Sequence, residues 1–247
     1  MNRQENKICL ALPIKTGKLN QIEQLISEVL EEKPDLIELR FDYIDDVSHI
    51  THSLLKKLLD LTEIPFIFTF RSKLEGGHIE LPDSERLAIL ETLIHTKPQY
   101  IDIELKSSLD LLQEVLILCK SEKVSPILSY HNFRGTDSIN EAIQLIENCK
   151  KKISPILKSS QDPPLPLIFK LIFTATQFED NLIPLKLCKR VQNKNHKVIS
   201  FCMGELGLFS RVICVRAGSY LTYASLHEKT APGQIGIEKL KEIYSVI

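Results

Sequence analysis

Leu167-Ile168-Phe169-Lys170-Leu171-Ile172-Phe173 is apolar at every position but one. So short a run, rich in branched and aromatic residues, reads as a strand buried on both faces, as in parallel sheets. An ammonium group inside such a strand is costly unless it has a task. Burial favours the neutral, nucleophilic form of a lysine, which is what a protein needs to form a Schiff base with a ketone. The plainer alternative is a packed stem whose head snorkels to a strand end or meets a carboxylate. Taken alone, Lys170 fits the plainer alternative better.

Seven similar runs recur at intervals of roughly thirty residues: Ile8 to Ile14, Leu36 to Ile44, Phe66 to Arg71, Tyr100 to Leu105, Pro126 to His131, Val198 to Met203 and Tyr220 to Leu226. Helical periodicity fills the gaps. Leu19, Ile22, Leu25, Ile26, Val29 and Leu30 draw one apolar face, and Leu87, Leu90, Leu93 and Ile94 draw another. A third, Ile139, Ala142, Ile143 and Ile146, is entered by the capping box Ser138-x-x-Glu141. Eight βα units in 247 residues predict a closed (β/α)8 TIM barrel forming one catalytic domain over 1–247. No Gly-rich fingerprint follows the first run, which argues against a dinucleotide fold. Ser159 to Pro166 reads as a loop within the barrel.

With 43% hydrophobic residues and a net charge of −1, the chain can bury a large core and gives no electrostatic case for a nucleic-acid or membrane partner. Lys150-Lys151-Lys152 reads as a solvated helix end. The polar start at Met1 to Lys7 leads into only a brief apolar stretch, so a cytoplasmic protein is expected. Six cysteines without metal-ligand spacing read as reduced core thiols. His49 and His52 have no third ligand candidate nearby, and no metal is expected.

Polar residues inside the strands share a parity. Glu38, Arg40 and Asp42 alternate with Ile37, Leu39 and Phe41; Asp102 and Glu104 alternate with Ile101, Ile103 and Leu105. Thr69 and Arg71, Ser129 and His131, and Lys170 itself follow the same rule, so the polar set can face the lumen near the strand C-termini, where barrel enzymes build their sites. A lumen plugged by ion pairs would explain Asp102 and Glu104. It would not explain a lysine, a histidine and two arginines converging without an excess of partners. An imine at Lys170 would acidify the neighbouring C–H. His131 could take that proton, with a carboxylate such as Glu75 holding the imidazole. Arg40, Arg71 or Arg211 implies an anionic substrate. Elimination, isomerisation and aldol cleavage all fit this set.

The chain resembles type I 3-dehydroquinate dehydratase over nearly its whole length. Glu38-Leu39-Arg40-Phe41-Asp42 is similar to the family's E-x-R-x-D strand, and Phe68-Thr69-Phe70-Arg71-Ser72 with Glu75-Gly76-Gly77 to its F-T-x-R-S…E-G-G segment. Tyr100 to Glu104 matches Y-x-D-x-E, and Ser129 to Phe133 matches S-x-H-x-F. Met203-Gly204, Ser210-Arg211-Val212, Gly218-Ser219 and Ala231-Pro232-Gly233-Gln234 follow in order. The resemblance implies that Lys170 forms the Schiff base, with His131 the general acid/base and Glu75 its partner. It also implies that Glu38, Arg40, Arg71, Met203, Arg211, Tyr223, Thr230 and Gln234 line a site for 3-dehydroquinate. A homodimer of the shikimate pathway without cofactor is expected. Tyr223 stands where the family has Phe, and Thr230 where Ser is usual.

Two rivals differ in chemistry. A class I aldolase also carries a Schiff-base lysine on a barrel, but Met203-Gly204-Glu205-Leu206-Gly207 puts an acid where a phosphate would sit. A non-catalytic sensor of quinate-like ligands would have no need of Glu75, His131 and Lys170 together.

Overall fold

The computed structural model describes residues 6–157, 165–192 and 197–247. Among these residues eight parallel strands alternate with eight helices. The strands are β1 Ile8–Pro13, β2 Leu36–Arg40, β3 Phe66–Thr69, β4 Tyr100–Glu104, β5 Ser125–His131, β6 Ile168–Thr174, β7 Lys197–Met203 and β8 Thr222–Ala224. The helices are α1 Ile22–Glu31, α2 His52–Leu59, α3 Asp83–His95, α4 Leu109–Glu122, α5 Ile139–Leu157, α6 Leu182–Gln192, α7 Leu208–Ile213 and α8 Ile237–Val246. The sheet order β7-β6-β5-β4-β3-β2-β1-β8 is that of a barrel wound strand by strand. At the seam between β7 and β8 the ladder gives way to a hydrogen bond from the Tyr220 N–H to the Val198 carbonyl at 2.7 Å. The barrel is therefore nearly closed. No helix among the described residues is long and apolar enough to cross a membrane.

Strand parity sorts the core into two clusters. Phe169, Leu171 and Phe173 of β6 join Leu10, Leu39, Phe68 and Leu128 and the inward faces of the helices. Ile168 and Ile172 face the other way and pack in the lumen with Cys9, Ile67, Ile127, Ile199 and Tyr223. The lower lumen is thus apolar, so the polar residues of the same parity collect above it. The six cysteines are buried and unbridged.

β1, β2, β3, β4 and β8 are shorter than the apolar runs that predict them, whereas β5 and β7 each begin one residue earlier. β2 stops at Arg40 and the chain turns at Phe41–Tyr43, so Asp42 leaves the strand and can fold back on Arg40. β8 has only three residues, because the chain on either side is already committed to loops. Lys150 to Lys152 lie inside α5, not at its end: Lys150 pairs with Glu147 at 3.2 Å and lies over the Phe169 ring. The capping box of α5 is present, Ser138 N–H donating to Glu141 and Glu141 N–H to Ser138. Most of the loop expected from Ser159 to Pro166 lies outside the described residues.

Candidate active site

Lys170, third residue of β6, points into the upper lumen and is 4% exposed. Its Nζ donates to Asp102 Oδ2 at 3.0 Å and to Glu38 Oε1 at 3.3 Å, and lies 4.5 Å from the centre of the Tyr223 ring. The sequence reading of a buried amine holds, and so does its plainer alternative of a head that meets a carboxylate. The nitrogen is buried, but carboxylates from β2 and β4 reach it across the lumen. Thr69 donates to the same Glu38 oxygen and Ser129 to Asp102 Oδ1, so both carboxylates are fixed by their neighbours. Burial opposes charge on Asp102, but Arg71 and Lys170 outweigh it and hold its carboxyl far below the usual range.

His131 closes β5, and its Nδ1 lies 3.0 Å from Glu75 Oε2. The same oxygen accepts the His131 backbone N–H at 2.9 Å. Glu75 is carried by a short turn at Lys73–Glu75 in which Ser72 O accepts from both Glu75 and Gly77 N–H. Gly77 is required by close approach: a Cβ there would stand 1.9 Å from the Arg71 carbonyl oxygen. Burial, reinforced by Glu104 and opposed by Arg71, pushes Glu75 up to about 8. Burial and the charges of Arg71 and Lys170 drive His131 well below its ordinary value. The two shifts run in opposite directions and leave the dyad without net charge at neutral pH.

The arginines divide into two kinds. Arg40 is held by both oxygens of Asp42 at 2.8 Å. Arg71 reaches Asp102 and Glu104, both at 2.9 Å, and donates to Ser129 at 2.6 Å. These carboxylates outweigh the effect of burial and raise both guanidinium pKa values. The sequence reading, which expected no excess of partners, did not identify these carboxylates, because they come from a turn and from another strand. Arg211, on α7, is different. It is 1% exposed, donates Nη2 to the Pro232 carbonyl at 3.0 Å and stacks on Phe201 at 4.4 Å, with no carboxylate partner among the described residues. Burial lowers it to about 10.

The segment after β8 covers this cation. Gly233 has φ +71°, and a Cβ there would stand 2.3 Å from the Gly204 carbonyl oxygen, so the two backbones pack directly on each other. Gln234 is buried and its Oε1 accepts the Thr230 N–H at 2.7 Å.

Ten of the eleven residues singled out in the sequence line one small cavity: Glu38, Arg40, Arg71, His131, Lys170, Met203, Arg211, Tyr223, Thr230 and Gln234. Glu75 stands behind His131, outside the lining. The sequence reading missed Arg86, which α3 sends inward to Glu104, because Asp83-Ser84-Glu85-Arg86 looks like a solvated helix start. A buried amine, an imidazole backed by a carboxylate and an unpaired guanidinium thus face one small chamber. That set can form an imine, move a proton beside it and hold an anion.

Residues 8–247 match the family model described as type I 3-dehydroquinase. The chain belongs to the type I 3-dehydroquinase family. A 3-dehydroquinate dehydratase of Pyrococcus abyssi is 31% identical over 228 residues, covering 92% of this chain and 94% of that protein. One from a Geobacillus species is 30% identical, covering 97% and 90%. The crystal structure of 3-dehydroquinate dehydratase from Geobacillus kaustophilus superposes with a TM-score of 0.82 at 25% identity, covering 98% and 91%. A dihydropteroate synthase from Stenotrophomonas maltophilia, with a TM-score of 0.66 at 12% identity and 99% and 94% covered, shares the fold alone with this 3-dehydroquinase chain.

Proposed function

We propose that the chain is a 3-dehydroquinate dehydratase, a hydro-lyase of the shikimate pathway that makes 3-dehydroshikimate through an imine on Lys170. The carrying observation is the convergence of Lys170, the His131–Glu75 dyad and Arg211 on one chamber in a member of the type I family. The substrate is a β-hydroxy ketone bearing a carboxylate. Attack of Nζ on the ketone releases one water and forms the imine. Asp102 and Glu38 stabilise the cationic iminium, since both already contact the nitrogen. The iminium draws electrons from the adjacent C–H, His131 accepts that proton, and it returns the proton to the β-hydroxyl as water leaves. Hydrolysis consumes one water and frees the lysine, so the sum is loss of one water.

Arg211 binds the substrate carboxylate in this reading, since it is the buried arginine of the chamber that no acid neutralises. Arg40 and Arg71 act chiefly by holding Asp42, Asp102 and Glu104. Thr230 and Gln234 close over the ligand from the last loop, Met203 packs beside it, and Tyr223 supplies the ring face under the amine. The six unbridged cysteines support a cytoplasmic setting. A homodimer without cofactor belongs to the same reading and is tested by sedimentation. Borohydride added with 3-dehydroquinate should leave a covalent mass on Lys170, and the untreated protein should make 3-dehydroshikimate. Trapping without that product, or turnover without trapping, would sink the reading.

A further inference from the structure

The ten charged side chains buried among the described residues are five acids, Glu38, Asp42, Glu75, Asp102 and Glu104, and five cations, Arg40, Arg71, Arg86, Lys170 and Arg211. Four of each are joined by direct contacts. Arg40 holds Asp42; Lys170 lies between Glu38 and Asp102; Arg71 bridges Asp102 and Glu104; and Arg86 Nη2 meets Glu104 Oε2 at 2.6 Å. The remaining acid, Glu75, and the remaining cation, Arg211, are the groups assigned above to proton transfer and anion capture. Arg86 is therefore the cation that completes the neutral set.

Its place in the chain of contacts gives it leverage. The other oxygen of Glu104 accepts from Arg71 Nη1 at 2.9 Å and from the Ser72 N–H at 2.8 Å. Arg71 leads on to Asp102 and the reactive amine. Ser72 begins the turn that presents Glu75 to His131. Arg86 itself is 6% exposed on α3, with Asp83 as a looser second partner at 3.7 Å. A second cavity lies on its side of Glu75 and Glu104, and Arg86 is part of its wall.

We propose that Arg86 is a positioning residue for the dehydration, acting through Glu104 to hold Arg71 and the Glu75 turn in place and to cancel the Glu104 charge beside the dyad. The inference rests on the dehydratase reading. The charged groups facing Glu75 are Arg71 just beyond β3, Glu104 and Asp102 from β4 and His131 from β5, with Glu80, Asp83 and Arg86 across the second cavity. Lys73, on Glu75's own turn, is drawn away to the His78 carbonyl, and Lys106 to the Tyr130 ring. Without Arg86, Glu104 would share the single guanidinium of Arg71 with Asp102. Its excess negative charge would then act on Glu75, holding the dyad's proton more tightly.

The test uses the full chain with Arg86→Lys, Arg86→Met, Glu104→Gln and the Arg86→Met/Glu104→Gln double variant. Arg86→Met should lower kcat about ten- to a hundredfold, the scale of a small misplacement of catalytic groups. KM should change little, because Arg211 and the last loop are untouched. The limb of the kcat/KM pH profile set by the dyad should move upwards, and the imine should still be trapped by borohydride. Arg86→Lys keeps the charge and should leave that limb in place while recovering part of kcat. In the Glu104→Gln background the loss caused by Arg86→Met should shrink or vanish. If Arg86→Met alone does not fold, the double variant, which leaves no unpaired acid, decides the matter by comparison with Glu104→Gln. Wild-type kcat in Arg86→Met, an unmoved pH limb, or a loss undiminished in the Glu104→Gln background would overturn the proposal. A wild-type protein that forms no imine overturns this reading together with the dehydratase one, whereas normal wild-type turnover beside an indifferent Arg86→Met overturns this one alone.

Discussion

On the β2 to β4 side of the barrel Arg40, Arg71 and Arg86 each meet a carboxylate within 2.9 Å, while on the β7 to β8 side Arg211 meets only a carbonyl and the face of Phe201. All four guanidinium groups are buried. Desolvation is thus common to both sides, and its compensation is not. Where acids are fixed in advance, a cation is part of the scaffold, and its removal strands a buried negative charge. Where none is supplied, the cation is held at a cost in folding that a bound anion can recover. The first arrangement makes geometry; the second makes affinity.

The largest effect should come from the paired side. Lys170→Met should abolish turnover and borohydride trapping, because no other amine faces the chamber lining. It should also destabilise the fold, by ~3–5 kcal/mol, since Glu38 loses its cation and Asp102 keeps only Arg71. Removing this lysine therefore does more than relieve a buried polar group. Denaturant titration measures that cost, and an unchanged midpoint would show that the carboxylates relax without it.

The two kinds of arginine give the sharpest contrast. Arg71→Met should unfold more readily by ~3–5 kcal/mol. Arg211→Met should leave the ligand-free protein as stable as the parent or more so, yet weaken substrate binding by ~2–5 kcal/mol. Melting curves with and without product separate the two, because product should raise the Tm of the parent and not that of Arg211→Met. Equal destabilisation by both substitutions would erase the distinction drawn above.

The dyad yields a pH dependence of intermediate size. With Glu75 pushed up to about 8, loss of the dyad's proton leaves a carboxylate that accepts Nδ1–H and frees His131 Nε2 as base. Wild-type kcat/KM should therefore climb with pH and level off above about 8, and Glu75→Gln should be slower and lack that limb. Stability runs the other way. A carboxyl raised on folding stabilises fully below its unfolded pKa near 4.5 and loses that contribution as pH rises from there through about 8, so Glu75→Gln should gain on the parent in Tm between about pH 5 and pH 8 and hold that gain above. A limb that survives in Glu75→Gln would assign the titration to another group.

Tyr223→Phe should do least. The hydroxyl is buried and has no hydrogen-bond partner among the described residues, whereas the ring under Lys170 is kept. Turnover should hardly change and stability should rise by ~1 kcal/mol. A marked fall in kcat would show that the hydroxyl meets the substrate.

Much of the barrel was legible because strand parity is local: Lys170, Glu38, Arg40 and Asp102 alternate with apolar neighbours, and the lumen takes the polar set. The partners of those residues were not legible. Whether Arg71 is free depends on Asp102 and Glu104 thirty-odd residues away on another strand, and pattern carries no information on cross-strand contacts. Asp42 was expected on a strand because the run from Leu36 to Ile44 is continuous in hydropathy; the turn at Phe41 breaks the backbone without breaking that pattern. Arg86 was invisible for a related reason. A helix start rich in charge reads as solvated, and only its proximity to Glu104 reveals that one of those charges turns inward.

The contact of Gly233 with Gly204 seats the last loop on main chain. Side-chain ceilings adapt, because a rotamer can swing aside for a larger guest. Here Thr230 and Gln234 ride on a loop whose glycine seat has nothing to swing, so the loop lifts as a unit or not at all. Compounds no taller than the natural ligand should be enclosed, whereas a bulky substituent on the roof side would have to prop the loop off as a unit. Inhibitors of this protein should accordingly fall into two populations, enclosed and propped, with a discontinuity in affinity between them and no smooth decline with size.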